Sequence, residues 1–314
     1  MKVSILIPVY GVEHYIAQCV KSLMEQTYDD IEYIFVDDCT PDNSILLLRE
    51  VLQDYPRRES QAKVLHHEHN KGLAGARHTA LGASTGDAVL FVDSDDYIAP
   101  RAVEVLVATM RQQDVDIVDG GFAVVTGGVV EREKMPPHVP QDKYLKTILC
   151  QSIEPNRIWG RLIKRSLFEE NNIAFTQGVD YGEDFSVLPR LLAFARRGWV
   201  DDTLYYYREN NPNSYTNNIT SRNAISFLKS QQIVADFVTS GDQWRKYRMA
   251  AEVGWVNVWR FARRFGVEHQ LVREHFTHEP SHVLTRLLTS IMRSRAPYPV
   301  ANFLYKAARS ITLW

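Results

Sequence analysis

The strongest constraint on the fold is a recurrence along the first 112 residues: a short apolar, β-branched run followed by a helix-like stretch. VSILIPVY ends at Gly11, and EHYIAQCVKSLMEQ follows with Ile16, Val20, Leu23 and Met24 on one helical face. IEYIFVDD precedes Thr40, Pro41 and Asp42, which open the helical run SILLLREVLQDY. AKVLHH precedes a glycine-rich turn and a helix over 70–85, and AVLFVD precedes a helix from Pro100 to about Gln112. Strands alternating with helices of this length predict an α/β fold, a parallel sheet with helices on both faces and right-handed crossovers.

Past residue 114 the rhythm changes. DIVDGGFAVVTGGVVERE reads as strands joined by a Gly-Gly turn, and TLYYYR as a strand. Residues 141–151, 156–171 and 183–197 read as helical, and residues 217–314 as helices only. The expected organisation is a catalytic domain over 1–216, with halves at 1–112 and 113–216, followed by a helical region over 217–314.

In an open parallel sheet, ligands bind beyond the carboxyl ends of the strands. Pro8–Gly11, Asp37–Asp38, Asn70–Arg77 and Asp93–Asp96 all fall there, far apart in sequence. Asp93, Asp95 and Asp96 crowd like charges that repel unless a cation or water intervenes. If the strand continues, Asp93 and Asp95 project to one side and Asp96 away. Two such oxygens suit Mg²⁺ or Mn²⁺, which prefer carboxylates plus substrate phosphates. A solvated acidic turn, with Asp95 or Asp96 capping the next helix, is the plain alternative. A calcium loop is excluded: Glu104 sits twelfth from Asp93, but Ile98 occupies the glycine position and Tyr97 a ligand position.

The other clusters carry two readings each. Asp37 and Asp38 suit a ribose or a base edge, or a helix cap. HNKGLAGAR offers Gly72 and Gly75 for close backbone approach and Lys71 and Arg77 as cations, but it matches neither a P-loop nor a dinucleotide fingerprint. In GVDYGEDF, Glu183 and Asp184 start a helix, where the dipole favours carboxylates; a general base is the functional alternative.

The net charge of −2 names no partner, but its distribution is uneven. Residues 245–314 hold 12 Lys/Arg against 4 Asp/Glu, and residues 1–244 hold 24 against 34. Cys19, Cys39 and Cys150 lie far apart with no CxxC pair, which speaks against zinc and disulfide frameworks and for a reducing cytoplasm. The N-terminal KVSILIPVY lacks the features of a signal peptide, and no apolar run approaches the ~18 residues of a membrane span.

ILIPVYGVEHYIAQCVKSLMEQTYDDIEYIFVDDCTPDNS, followed by HNKGLAGARHTALGASTGDAVLFVDSDD, resembles the family-2 glycosyltransferases with the GT-A fold. The likeness is good over 1–112 and looser to 216, where IWGRLIKRSLFEENNIAF, GEDF and YYYRENNPNSYT are similar to the acceptor side of bacterial members that build surface polysaccharides. The resemblance implies transfer of a sugar, with inversion, from a nucleotide diphospho-sugar donor, a UDP-sugar by family habit. The acceptor is a hydroxyl of a glycan or lipid-linked molecule. By position, Pro8 and Tyr10 flank the base, and Asp38 bonds uracil. Lys71 and Arg77 fall on the donor side. Asp93 and Asp95 match the DxD motif, with Asp95 as metal ligand and Asp93 near the metal, ribose or donor sugar. Asp184 matches the catalytic base, with Glu183 as the second candidate for that role. The implied cofactor is Mn²⁺ or Mg²⁺. Gly11, Cys39 and His78 stand where the family often has Asn, Gly and Asn, and Trp159-Gly160-Arg161 replaces its Trp-Asn/Gly-Lys.

Aromatics and arginines interleave in QWRKYRMAAEVGWVNVWRFARRF. Near the end, Phe303, Leu304, Ala307 and Ile311 can share one helical face, with Lys306 and Arg309 off it. That pattern suits a helix lying on an anionic membrane, or a tail packed on the protein with its arginines in water. No nucleic-acid motif accompanies it. Two other functions stay open. One is a nucleotidyltransferase, disfavoured because PVYGVEHY lacks a glycine-rich loop with a cation. The other is a non-catalytic member that binds nucleotide or a partner.

Overall fold

The computed structural model describes residues 1–151, 156–209, 220–241, 244–294 and 296–313. The elements run β1 (Val3–Val9), α1 (Ile16–Met24), β2 (Ile31–Asp37), α2 (Ser44–Gln53), α3 (Pro56–Glu59), β3 (Ala62–His66), α4 (Gly72–Ala83), β4 (Ala88–Phe91), β5 (Tyr97–Ile98), α5 (Ala102–Gln112), β6 (Ile117–Thr126) and β7 (Val129–Lys134). They continue with α6 (Gln141–Leu149), β8 (Arg161–Lys164), α7 (Ser166–Glu170), α8 (Glu183–Leu192), β9 (Arg197–Arg208), α9 (Ser221–Ser240), α10 (Trp244–Phe265), α11 (His269–His275), α12 (Val283–Arg293) and α13 (Tyr298–Leu313).

Two compact units emerge, and they interleave along the chain. One comprises residues 1–138, 158–178 and 194–217; the other 139–157, 179–193 and 218–314. The contiguous division expected near residue 216 would fall at 210–219, outside the described residues. The helices α6 and α8, read with the sheet, join the helical unit instead. They are amphipathic segments whose buried faces are completed by α9 and α10.

The first unit is built on a sheet in the order β3-β2-β1-β4-β8-β6-β9-β5, with β7 paired to β6. The parallel order expected from the strand–helix repeat holds for β3-β2-β1-β4. Beyond β4 the sheet is mixed: β8 runs antiparallel to both neighbours, and β6 and β9 pair in parallel. On one face, Val3, Ile5, Ile7 and Val9 of β1 share a buried cluster with the apolar stripes of α1 and α5. The predicted stripe Ile16, Val20, Leu23 and Met24 is buried. On the other face α4 packs against β1 and β2 with Ala74, Ala76 and Ala80. Small side chains let this helix approach the sheet closely.

Residues 156–171, read as one helix, split into β8 and α7. Gly160 at φ 67° takes the left-handed region and breaks any helix there. RLIK then enters the sheet as a buried strand, a run too short for periodicity to assign. Arg161 and Arg197 both pair with Asp119 at 2.7 Å, all three buried. The helix read over 183–197 ends at Leu192, and β9 begins at Arg197. The hairpin across Gly127-Gly128 forms as expected, with both glycines at positive φ.

In the second unit α6, α9, α12 and α13 pack around α10. Residues 250–259 of α10 are buried on every side. Gly254 is required: a Cβ there would lie 2.2 Å from the Leu149 carbonyl oxygen. Arginines of this unit turn inward. Arg293 lies over the Trp259 ring at 3.9 Å, and Arg260 over Tyr305 at 5.0 Å. The aromatic–arginine interleaving of α10 is thus in part internal packing, while Arg245, Arg264 and Phe265 remain exposed. Glu252, fully buried, accepts from Ser281 Oγ (2.5 Å), Thr285 Oγ1 (2.6 Å), the His282 N–H (2.9 Å) and Arg248 Nε (3.0 Å). Burial alone would raise its pKa, but these donors outweigh it and hold the carboxyl at about 2. Among the described residues no helix is long and apolar enough to cross a membrane.

Candidate functional site

The four polar clusters lie at the carboxyl ends of four adjacent parallel strands, as the sheet order requires. At the end of β1, Pro8 is buried, and Tyr10 just beyond it is 50% exposed. The loops after β1 and β2 are zipped together. Gly11 N donates to Thr40 Oγ1 (2.8 Å), Val12 N to Ser44 Oγ (3.0 Å) and Glu13 N to Asp42 Oδ2 (3.0 Å). Cys39, where the family often has Gly, sits at φ 60°, the left-handed region that glycine adopts most readily.

Asp38 is buried and its carboxylate is engaged. Oδ1 accepts from His67 Nδ1 (2.6 Å) and the Lys71 N–H (2.8 Å), and Oδ2 from the Gly72 N–H (2.9 Å). His67 reaches Thr79 Oγ1 through Nε2 at 2.9 Å. Asp38 therefore anchors the start of α4, whose unsatisfied N–H groups and dipole favour a carboxylate. The cap reading of Asp37–Asp38 concerns the segment after Pro41; the helix start that Asp38 meets is that of α4. The His67 contribution was missed; only its place at the end of AKVLHH hinted at it. Lys71 is half-buried at the helix start.

The family resemblance sets Arg77 on the donor side as a cation. It is 1% exposed, lies 5.9 Å from the Phe175 ring centroid, and donates from Nη2 to Asp93 Oδ1 at 2.7 Å. Its place in this structure is as the partner of Asp93, orienting that carboxylate.

β4 stops at Phe91, so Asp93–Asp96 is a turn, closed by Asp96 N donating to the Asp93 carbonyl at 3.0 Å. The premise of a continuing strand fails here. Even so, Asp93 and Asp95 remain partly exposed while Asp96 is buried. The turn is braced from β9. The Asp93 N–H donates to Tyr205 Oη (3.1 Å), and Tyr205 donates to Asp96 Oδ2 (2.7 Å). Arg208 N donates to Asp96 Oδ1 (2.7 Å), and Arg208 Nε to the Asp95 carbonyl (2.7 Å). The Arg208 guanidinium also bonds Gln18 and stands 5.3 and 5.2 Å from the Tyr15 and Tyr97 ring centroids. Trp159 stacks on Tyr205 at 4.4 Å and Tyr207 at 5.4 Å. Tyr205, Tyr207, Arg208 and Trp159 were not singled out for this role. The aromatic density of TLYYYR was the available signal.

The turn concentrates negative potential. Burial, then the charges of Asp95 and Asp93, push the Asp96 carboxyl well up. Burial, then the charges of Asp96, Asp95 and Asp93, push the Cys19 thiol well up and the Tyr207 phenol to about 12. Hard oxygen donors on Asp93 and Asp95 fit a divalent cation that completes its shell with ligand oxygens and water. Among the described residues no group of three or more His, Cys, Asp or Glu forms a closed metal cage.

Glu183 and Asp184 lie in the second unit, in the first turn of α8. Glu183 is buried and Asp184 half-buried. Gly182 precedes them at φ 93°, where a Cβ would stand 2.6 Å from Ser230 Oγ. Ser226 of α9 accepts the Tyr181 N–H at 2.7 Å, fixing the loop that feeds the helix.

A sequence profile of Glycosyl transferase family 2 matches residues 4–175. The chain is 36% identical over 225 residues to the uncharacterized glycosyltransferase EpsJ of Bacillus subtilis, covering 68% of this chain and 62% of EpsJ. It is 28% identical over 211 residues to poly(ribitol-phosphate) beta-N-acetylglucosaminyltransferase TarS of Staphylococcus aureus, covering 66% of this chain and 35% of that protein. The matches thus span less than two thirds of these relatives' own lengths. The crystal structure of TarS 1-349 in complex with UDP-GlcNAc aligns with TM-score 0.67 at 20% identity, covering 99% of this chain and 92% of the other. That likeness shows the GT-A-like α/β fold expected from the sequence resemblance. Since the profile covers more than half of the sequence and the strand order follows that fold, the chain belongs to glycosyl transferase family 2.

Proposed function

We propose that this protein transfers a sugar, with inversion, from a UDP-sugar to a hydroxyl of a glycan or lipid-linked acceptor in surface polysaccharide synthesis. The observation that carries the reading is the braced acidic turn Asp93–Asp96 at the carboxyl edge of the parallel strands, within a family-2 domain. The UDP-GlcNAc held by the structurally similar TarS supports a UDP-sugar donor.

Tyr10, exposed beside buried Pro8, offers a ring for the base, and Lys71 a cation for the donor side. Asp38 shapes that pocket by pinning the start of α4, and Arg77 orients Asp93. Asp95, with Asp93, would hold Mn²⁺ or Mg²⁺, which when bound stabilises the negative charge growing on the departing nucleoside diphosphate. Asp184 takes the proton of the acceptor hydroxyl, and Glu183 keeps the first turn of α8 acidic. The hydroxyl attacks the anomeric carbon opposite the diphosphate in one displacement, so the configuration inverts.

The test is a thermal-shift panel of UDP-, GDP- and dTDP-sugars, each with and without Mn²⁺. Ligand stabilisation follows concentration over Kd. A Mn²⁺-dependent rise with UDP-sugars, lost in Asp95→Ala, is expected. No shift with any donor from folded protein would overturn the assignment and favour a member without transferase chemistry.

A further inference from the structure

The outward surfaces of α12 and α13 combine two properties. The first is exposed apolar side chains: Val283 at 69%, Leu287 at 58%, Val300 at 52% and Phe303 at 69%. On α12 the inward set is Thr285, Leu288, Thr289 and Met292; on α13 it includes Ala301, Tyr305 and Ala308. Both helices pack on α10. Their opposite faces therefore look away from it, and Val283–Leu287 and Val300–Phe303 fall at i,i+4 and i,i+3 spacing on those faces. The second property is charge. Residues 280–314 contain five Lys/Arg and no Asp or Glu. Arg286 and Lys306 are exposed and form no ion pair among the described residues.

We infer that this two-helix face docks on an anionic lipid bilayer, with Val283, Leu287, Val300 and Phe303 entering the headgroup–acyl boundary and Arg286 and Lys306 meeting lipid phosphates. Apolar residues flanked by cations are what an interfacial helix requires. A second copy is the poorer occupant. A two-fold contact would set this face against itself, cation against cation, with no carboxylate to compensate. A nucleic acid would not call for four exposed aliphatic and phenyl groups beside the arginines. The docking does not depend on the donor chemistry proposed above, and the two readings fail separately.

The experiment is co-sedimentation of the full chain with vesicles of phosphatidylglycerol and phosphatidylcholine, against vesicles of phosphatidylcholine alone. Binding to the mixed vesicles that weakens with salt is expected, with little binding to the neutral ones. Arg286→Glu/Lys306→Glu should weaken binding by roughly tenfold or more. Leu287→Glu/Phe303→Glu should abolish it with the melting temperature unchanged, because both sites are exposed. Val300→Glu alone, which should at least halve binding, serves if the double variant does not fold. Retained UDP-sugar thermal shifts in these variants would separate the membrane face from the donor site. Absence of binding to the mixed vesicles, equal binding to neutral ones, or undiminished binding by the apolar variants would overturn the inference. So would a dimer in sedimentation velocity that Leu287→Glu/Phe303→Glu dissociates while vesicle binding is absent.

Discussion

The acidic turn at 93–96 and the acidic helix start at 183–184 present carboxylates in different units and hold them by different means. The turn is braced by side chains distant in sequence: Arg77 on Asp93, Tyr205 and Arg208 on Asp96 and the Asp95 carbonyl. The helix start combines local backbone geometry, a left-handed Gly182 and the dipole of α8, with Ser226 of α9 bonding the loop at Tyr181. Under the proposed function, the turn would meet a cation and needs a scaffold that resists repulsion between like charges. Asp184 would accept a proton, for which position and a half-open environment are the requirement.

Four experiments break or sharpen that contrast. Asp184→Asn keeps the shape of the helix start and removes the base. Transfer should fall by about 10²–10⁴-fold, while the Mn²⁺-dependent thermal shift with UDP-sugar stays. Loss of that shift would show instead that Asp184 serves donor binding. Asp95→Ala should lower transfer by about 10²–10³-fold and erase the metal-dependent part of the shift, the reverse pattern of readouts.

The units can also be compared through their buried carboxylates. Glu32 in the first unit and Glu252 in the second are both held at about 2, burial being outweighed by donors: Ser4, Thr85 and Lys2 for Glu32, and Ser281, Thr285 and His282 for Glu252. Both folded values lie below the unfolded value, so each carboxylate stabilises its unit above pH ~4.3. That stability is lost as pH falls toward 2, on the order of 3 kcal/mol each. Urea unfolding of Glu32→Gln and Glu252→Gln should show shallower acid destabilisation than the parent. An unchanged acid limb in either variant would remove that carboxylate from the account. The smallest effect belongs to Tyr205→Phe, which deletes the donor to Asp96 and the acceptor of the Asp93 N–H at once. A loss of about 1–3 kcal/mol of stability is expected, with a rise in the Mn²⁺ concentration needed for the UDP-sugar shift. Intact metal response at reduced stability would confine Tyr205 to folding.

The strand–helix repeat was legible because burial stamps a period on sequence: β1 to β4, α1, α4 and α5 all lie within a few residues of where the pattern places them. β8 was not legible. Four residues, three of them buried, carry no distinguishing period, and their partners β4 and β6 are chosen only in the folded sheet. The candidate site was legible as residue types at strand ends. Its supporting contacts were not: Arg77 reads as a free cation until burial pairs it with Asp93, and nothing local shows that Asp38 also holds the start of α4.

The sequence by itself determined the parallel nucleus, the gathering of four polar clusters at one sheet edge, the family, and the basic bias of the C-terminal region. These follow from local periodicity, order and charge count. Only the tertiary structure decided which carboxylates are exposed and which are struts, that residues 139–157 and 179–193 belong with the C-terminal helices, and which faces of α12 and α13 look outward. Each depends on contacts between segments tens to more than a hundred residues apart, as between Asp96 and Tyr205 or Cys150 and Tyr305. No local pattern encodes such a contact, because its free energy exists only once the chain has brought the partners together.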